Sequence, residues 1–369
     1  MTKLIDLCDI QYGYAFDSNC FSKDNSYPQL ARIRDVKRGY SETFYTGKYP
    51  KEYVLSAGDL LIGMDGEFNV ARWKIDGALL NQRVCKVVAK NGTNEDYIRF
   101  FLLKQLKTIE EKTSFVTVKH LSAREINKIE VDIPKLCEQE KIATTLLILE
   151  RIEELRNREL LLLDELVRGR FVELFGDPVS NSYGLPEATL PELGVFGRGV
   201  SKHRPRNDPK LLGGDYPLIQ TGDIANAGLY ITSYNSTYSE FGLKQSKMWE
   251  KGTLCITIAA NIAKTAILEF DACFPDSVVG FTANERTNNI FIHYWFSFFQ
   301  AILESQAPES AQKNINLKIL SELKVIVPEK ERQNEFANFV HRIDKSKFRG
   351  LSMLTMMKSA YDQQTFIYP

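Results

Sequence analysis

Short apolar runs opened by a glycine turn alternate along this chain with longer runs spaced by three and four residues, and the whole order occurs twice. Ala57–Met64 (AGDLLIGM) and Lys251–Ile258 (KGTLCITI) each read as a turn followed by a buried strand. Gly58 and Gly252 are separated by 252 − 58 = 194 positions, and the same separation joins Leu60 to Leu254, Ile62 to Ile256, Ile98 to Ile292, Pro134 to Pro328 and Gln139 to Gln333. No gap is needed between Gly58 and Gln139. This predicts two copies of one mixed α/β unit, each followed by a helix.

Within each copy a Tyr-Pro step, Tyr27-Pro28 or Tyr216-Pro217, leads into an alternating segment, ARIRDV or LIQTGDI. Alternation predicts a strand with one polar face in both. A further strand pair is expected in LLNQRVCKVV (79–88) and FPDSVVGFTA (274–283). Amphipathic helices begin near Tyr97 and Phe291, and each copy closes on a strand stopped by proline, KIEVDIP and ELKVIVP.

Beyond Pro134 the texture changes. Residues 138–175 contain no proline and a single glycine, Gly169. Apolar residues at Ile148, Ile152, Leu155, Leu162 and Leu166 form one row, and Leu160, Leu163, Val167, Phe171 and Leu174 widen it. The pattern predicts a helix about 57 Å long, at ~1.5 Å per residue. Gly176-Asp177-Pro178 ends it. A second helix is expected from Lys330, with Phe336, Val340 and Ile343 on its apolar face and an interruption at Arg349-Gly350. Two such helices are expected to pack antiparallel as a coiled-coil spacer between the globules. The expected layout is therefore a first globule (1–134), a central helix (135–178), a second globule (179–328) and a C-terminal helix (329–369), in the α/β (α+β) class.

Composition narrows this little. At 369 residues the chain suits two domains. With 44% hydrophobic and 25% charged residues it has globular composition, and no apolar run reaches the ~20 residues needed to span a bilayer. The N-terminal residues carry no secretory pattern, so the expected compartment is the cytoplasm. Six cysteines are scattered without a C-x-x-C pair, and Cys85 and Cys255 sit in apolar strand-like runs, which favours buried thiols over zinc or disulfides. The 47 basic residues balance the 47 acidic ones, which counts against a free-standing DNA binder. Residues 198–210 (RGVSKHRPRNDPK) are nonetheless locally basic, and such a loop can meet phosphates.

Motifs for catalysis are missing. There is no G-x-x-x-x-G-K-[ST], the G-x-G at Gly197–Gly199 stands alone, and no histidine belongs to an HExxH pair. Pro275-Asp276 could open a nuclease-type carboxylate motif, but the following acid, Glu285, lacks a lysine two positions later. The chain is expected to be non-catalytic and to hold no metal or cofactor.

Two diverged globules, the signatures AGDLLI (57–62) and KGTLCI (251–256), the stretches EQEKIA (138–143) and RQNEFA (332–337), and the central ELFGDP (173–178) together resemble the specificity subunit of type I restriction-modification systems. The resemblance implies that each globule is a target recognition domain for one half of a split double-stranded DNA sequence, with the helices setting the gap. It implies two modification subunits and two restriction subunits as partners, to which S-adenosylmethionine, ATP and Mg belong. A two-domain interaction scaffold that touches no DNA is the alternative.

Base reading requires polar side chains carried into a groove. In the first copy the candidates are Arg32 and Arg34 on the alternating segment, Lys37 and Arg38 after it, and Asp65, Glu67, Asn69 and Arg72 in DGEFNVAR. The second copy offers Gln220 and Thr221, then Asn261 and Lys264, together with Arg198, Lys202, Arg204 and Arg206 of the basic loop. Lys119 and Lys313 recur at the common separation before the last strand.

Overall fold

A computed structural model describes residues 1–112, 120–259, 262–306 and 315–365. It divides into two compact units, one of residues 1–156 with 351–369, the other of residues 157–350. Each long helix thus gives one half to each unit.

Each unit is built on an antiparallel sheet of the same order. In the first unit it runs Cys8–Tyr12, Val84–Ala89, Leu60–Gly63, Asn69–Arg72. In the second it runs Gly194–Arg198, Val278–Ala283, Leu254–Thr257, Thr265–Leu268, and Tyr230–Ile231 is added in parallel at the edge. Register repeats as well. Leu60 lies opposite Val87 and Leu254 opposite Phe281, so both partners shift by 194 (254 − 60 = 281 − 87). Buried β-branched and aliphatic residues on both sides of the central strands account for their continuous apolar runs. A helix follows each sheet, Glu95–Lys112 and Asn289–Gln306. A short pairing then joins the start of each globule to its end, Thr2 opposite Val131 and Ala188 opposite Val325.

The copies are not gapless. Gly58 N–H donates to Trp73 O and Gly252 N–H to Leu268 O, so the far arm of the hairpin is offset by 268 − 73 = 195. One extra residue enters the second hairpin, and the offset has returned to 194 at Val84 and Val278, whose N–H groups donate to Asn81 O and Pro275 O. A hairpin tip absorbs such an insertion without moving the ladder.

The two alternating segments are not the strands that their pattern predicts. Leu30–Ala31 pairs in parallel with Leu79–Leu80 and then gives way to a 3₁₀ turn at Ile33–Asp35. Buried Asp35 holds that turn by accepting from Ser41 Oγ at 2.7 Å and pairing with Arg38. In the second unit the strand stops at Leu218, and Thr221–Asn226 is helical. Gln220 N–H donates to Asp223 Oδ2 at 2.8 Å, half of a capping box that starts the helix. Arg34 and Thr221 therefore lie on helical turns.

The central helix spans Leu136–Phe175 and the C-terminal helix Lys330–Thr365. The second runs unbroken through Arg349-Gly350, correcting the expected interruption. A helical glycine costs only ~1 kcal/mol, and the central helix likewise runs unbroken through Gly169. The helices pair antiparallel in each unit: Glu153 with Lys358 in the first, Asp164 with Lys347 and Arg170 with Glu335 in the second.

Their buried rows differ from expectation. Ile148, Leu155, Leu162 and Leu166 are half exposed, between 50% and 54%, and Ile152 is only partly covered. The central helix instead buries Ala143, Leu146 and Leu149 in the first unit and Val167, Phe171 and Phe175 in the second. Leu146 and Ile148 are two residues apart, or roughly 200° around the axis, so packing one exposes the other. Leu149 packs with Phe100 and Met357, whereas Phe171 and Phe175 meet Phe291 and Phe336 at ring separations of 5.1–5.7 Å. Phe336 and Val340 are buried there, and Ile343 lies against the same core.

A matched buried glutamine locks each long helix to its globule. Gln139 Nε2 donates to Pro134 O (2.9 Å) and Gly92 O (3.3 Å), while its Oε1 accepts from Asn94 N–H at 2.8 Å. Gln333 Nε2 donates to Pro328 O (2.8 Å) and Arg286 O (3.0 Å), and its Oε1 accepts from Thr287 Oγ1 at 2.9 Å. Replacing either glutamine with alanine orphans these buried groups and should lower unfolding free energy by about 2–3 kcal/mol. Unchanged denaturant midpoints for both variants would show that the contact does not secure the helices.

Candidate nucleic-acid interface

The turns between strands open a groove on each unit. The groove of the first, about 690 Å³, is lined by Arg32, Arg34, Lys37, Asp65, Glu67 and Asn69, and also by Asn81, Gln82 and Arg83. Arg32 and Arg83, 83 − 32 = 51 positions apart in sequence, thus face one space, because the parallel pairing of Leu30–Ala31 with Leu79–Leu80 brings the first turn beside the second. Phe16 and Phe21 form its apolar wall.

Its charge is mixed. Lys37 Nζ lies 3.1 Å from Glu67 Oε1 with both side chains exposed, a pair worth little in water. Arg32 lies over Phe21, 5.7 Å from the ring centre, and reaches Thr43 Oγ1. Asp65 contacts His120 Nδ1 and stands 3.6 Å from Arg83 Nε, while Arg83 Nη1 lies 3.0 and 3.2 Å from the two His120 ring nitrogens. Guanidinium donors, carboxylate acceptors and amides carrying both are the groups that distinguish base edges, whereas a phosphate track needs cations alone.

Two candidates in this unit point elsewhere. Arg72 is tied to Glu95 and Asp96 at 2.8 Å each and donates to Gly58 O, bracing the hairpin against the next helix. Arg38 is held by Asp35 and lies over Tyr40.

The second groove, about 270 Å³, is lined by Arg206, Gln220 and Thr221 with Asn207, Pro275 and Ser277. Beside it the basic loop converges on one residue. Arg204 Nη2 lies 3.3 Å from Asp276 Oδ2, Arg206 pairs with the other carboxylate oxygen, and Arg198 Nε donates to Asp276 O. Lys202 stands exposed nearby, its backbone N–H donating to Gln245 Oε1. Lys264 lines a different cavity, with His293, Asp344 and Lys347. Lys119, Asn261 and Lys313 lie outside the described residues.

Sequence reading passed over Asn81, Gln82, Arg83 and His120 as DNA contacts, and weighed Asp276 only as part of a nuclease motif. The repeat itself held the signal, because Asn81–Arg83 and Pro275–Ser277 are matched positions in which polar residues interrupt two apolar runs.

No group of His, Cys, Asp and Glu among the described residues could hold a metal, and no described helix is long and apolar enough to cross a membrane. A family model, the type I restriction modification DNA specificity domain, matches residues 1–163 and 192–349. The chain belongs to this family. It is 30% identical over 367 residues to the EcoBI specificity subunit of a type I restriction enzyme from Escherichia coli, covering 91% of this chain and 77% of that one. The fold is similar to that of a solved S subunit of a type I restriction-modification system from M. genitalium, with a TM-score of 0.59 at 16% identity, covering 100% and 95% of the two chains. A second solved chain, from work on complex assembly of the type I R-M system, gives a TM-score of 0.52 at 15% identity over 98% and 95%. This is a specificity subunit, and such a subunit is not itself catalytic.

Matched positions in the specificity subunit also separate the two units in their response to pH. In the first, buried Arg99 makes a two-pronged ion pair with Glu150 on the central helix, at 3.0 and 2.7 Å. The equivalents in the second are His293 and Asp344 (293 − 99 = 344 − 150 = 194). Burial pushes the His293 imidazole down from 6.5 to about 4, Lys347 adding to the shift and Thr265 and Asp164 opposing it. A lowered histidine pKa means the unfolded chain takes up the proton first, so stability present above about pH 6.5 is lost progressively as pH falls toward about 4. His293→Gln should remove this part of the acid sensitivity, read as a smaller drop in melting temperature between pH 7 and pH 5. Equal drops in variant and parent would exclude His293 as its source.

Proposed function

We propose that this specificity subunit reads a split double-stranded DNA target, one half in each globule, for a type I restriction-modification complex. One observation carries the reading: two grooves stand at matched places on one repeated frame, and their linings differ. An equivalent frame serves the same task twice, and unlike linings choose different bases. The reading divides the chain into recognition domains at 1–134 and 179–328 and spacer helices at 135–178 and 329–369. A scaffold for proteins alone would have no need of guanidinium and amide groups gathered in each groove, Arg32, Arg34 and Asn69 in the first and Arg206, Asn207 and Gln220 in the second.

In this reading Arg198, Lys202, Arg204 and Arg206 grip phosphates, with Asp276 aiming the arginines and Arg32, Arg34, Asp65, Glu67, Asn69, Gln220 and Thr221 facing bases. Two modification subunits supply S-adenosylmethionine chemistry, two restriction subunits supply ATP- and Mg-dependent chemistry, and the complex works in the cytoplasm. The exposed apolar residues of the central helix dock the modification subunits, Ile148 and Leu155 in the first unit and Leu162 and Leu166 in the second. Their exposure makes this separable from folding.

Exchanging residues 1–134 for those of another specificity subunit should change one half of the methylated motif, mapped genome-wide, and leave the other half as it was. A change in both halves or in neither would end the modular reading. Leu155→Asp combined with Leu162→Asp should leave the melting temperature within a degree or two of the parent and abolish capture of the modification subunits. A collapsed melting temperature, or capture that persists, would place docking elsewhere.

A further inference from the structure

The matched turns at 81–84 and 275–278 share a frame and differ in content. Val84 N–H donates to Asn81 O at 3.2 Å and Val278 N–H to Pro275 O at 3.0 Å, and each turn leads into an interior sheet strand whose first two residues are fully buried. A turn mounted on a central strand is held at both ends by the ladder, so its exposed side chains are presented from a rigid base. In one unit the turn presents Asn81, Gln82 and Arg83, in the other Pro275, Asp276 and Ser277, and each turn lines the groove of its unit.

Arg83 has φ +67°, in the left-handed region where a residue with a Cβ is strained by about 1–2 kcal/mol and glycine is not. Its carbonyl is held by Met64 N–H at 2.9 Å, which keeps the turn in this shape. The side chain is about half exposed at the groove, and Asp65 and His120 orient the guanidinium there. Next to it stand two amide oxygens, Asn81 Oδ1 and Asn69 Oδ1, that are buried without a hydrogen-bond partner among the described residues. Asn81 itself is only 8% exposed. An unpaired buried amide oxygen is costly, so two of them in one groove mark a place built for donors on a ligand.

Resting on the DNA-reading function proposed above, we infer that the 81–83 turn determines specificity in the first half-site and that Arg83 reads a guanine there. A guanidinium fork matches guanine O6 and N7 with two parallel hydrogen bonds, and an amide oxygen beside it accepts from the amino group of a neighbouring adenine or cytosine. Ser277, at the position matched to Arg83, has no fork to offer, which assigns this guanine to the first half-site alone.

The test uses the specificity subunit in complex with its modification subunits, methylating a library of split targets. Arg83→Gly keeps the positive φ without strain and removes the fork, and Arg83→Lys keeps the charge and removes the fork. Both should turn one guanine of one half-site degenerate, with discrimination there falling roughly 5- to 150-fold, while the other half-site is unchanged. Ser277→Ala should not touch that guanine. An unaltered motif in both Arg83 variants would overturn the inference, as would uniform weakening at every position with a shallower salt dependence, the signature of a phosphate contact. A parent complex that methylates no split motif would instead remove the DNA-reading function itself, and this inference with it.

Discussion

Everything in this protein depends on how a long helix is fastened to a small sheet domain, and a buried glutamine does the fastening in both units. Gln139 and Gln333 each gather the carbonyl of the proline between the last strand and the long helix and a carbonyl of the loop before the domain helix. A side chain with both a donor and an acceptor end suits this position, because the proline before the long helix presents a carbonyl and the loop before the domain helix presents both a carbonyl and a donor, Asn94 N–H or Thr287 Oγ1. The clasp sets the direction in which each helix leaves its domain. Since the two clasps are equivalent, the two helices depart from equivalent places.

Aromatic packing then divides the labour between the units. The second unit wraps Phe171, Phe175, Phe291 and Phe336 into one cluster around both helices. The first holds its helices with smaller aliphatic contacts around Phe100 and with the Arg99–Glu150 pair. A paired charge keeps its hold at any pH where the carboxylate is ionised, whereas a buried imidazole loses its comfort in acid. One ancestral joint has thus diverged into two kinds of contact, and neither alters the course of the helices. That tolerance is why the repeat survives in backbone hydrogen bonds where side chains have changed.

Rigidity in the frame is what allows the grooves to vary. Strands that pair on both sides absorb no change, so variation collects at their ends: the hairpin with its extra residue, the basic loop in the second unit, and the turns at 81–83 and 275–277. Asp276 shows how such a change spreads locally. Where the first unit carries Gln82, the second carries a carboxylate that draws Arg204 and Arg206 from a distant loop to the groove rim. A single exchange in a turn therefore refits the surroundings of the whole groove.

The amino-acid sequence alone determined the duplication, the sheet strands at Leu60–Gly63 and Leu254–Thr257, the start and stop of the central helix, and the family to which the chain is similar. These are properties of spacing along the chain: a glycine free to take the φ of +76° found at Gly176, a proline that donates no N–H, apolar residues at fixed intervals. Tertiary structure alone decided which row of the central helix is covered. Ile148 and Leu146 are equally apolar, and only the approach of Phe100 and Met357 selects Leu146. It also decided that Arg72 braces a hairpin while Arg83 faces a groove, since the partners that divide them, Glu95 and Asp96 in one case and Asp65 and His120 in the other, are brought near by pairings that no local pattern records. Periodicity reports what a residue is, and burial and charge pairing depend on what long-range contacts place beside it.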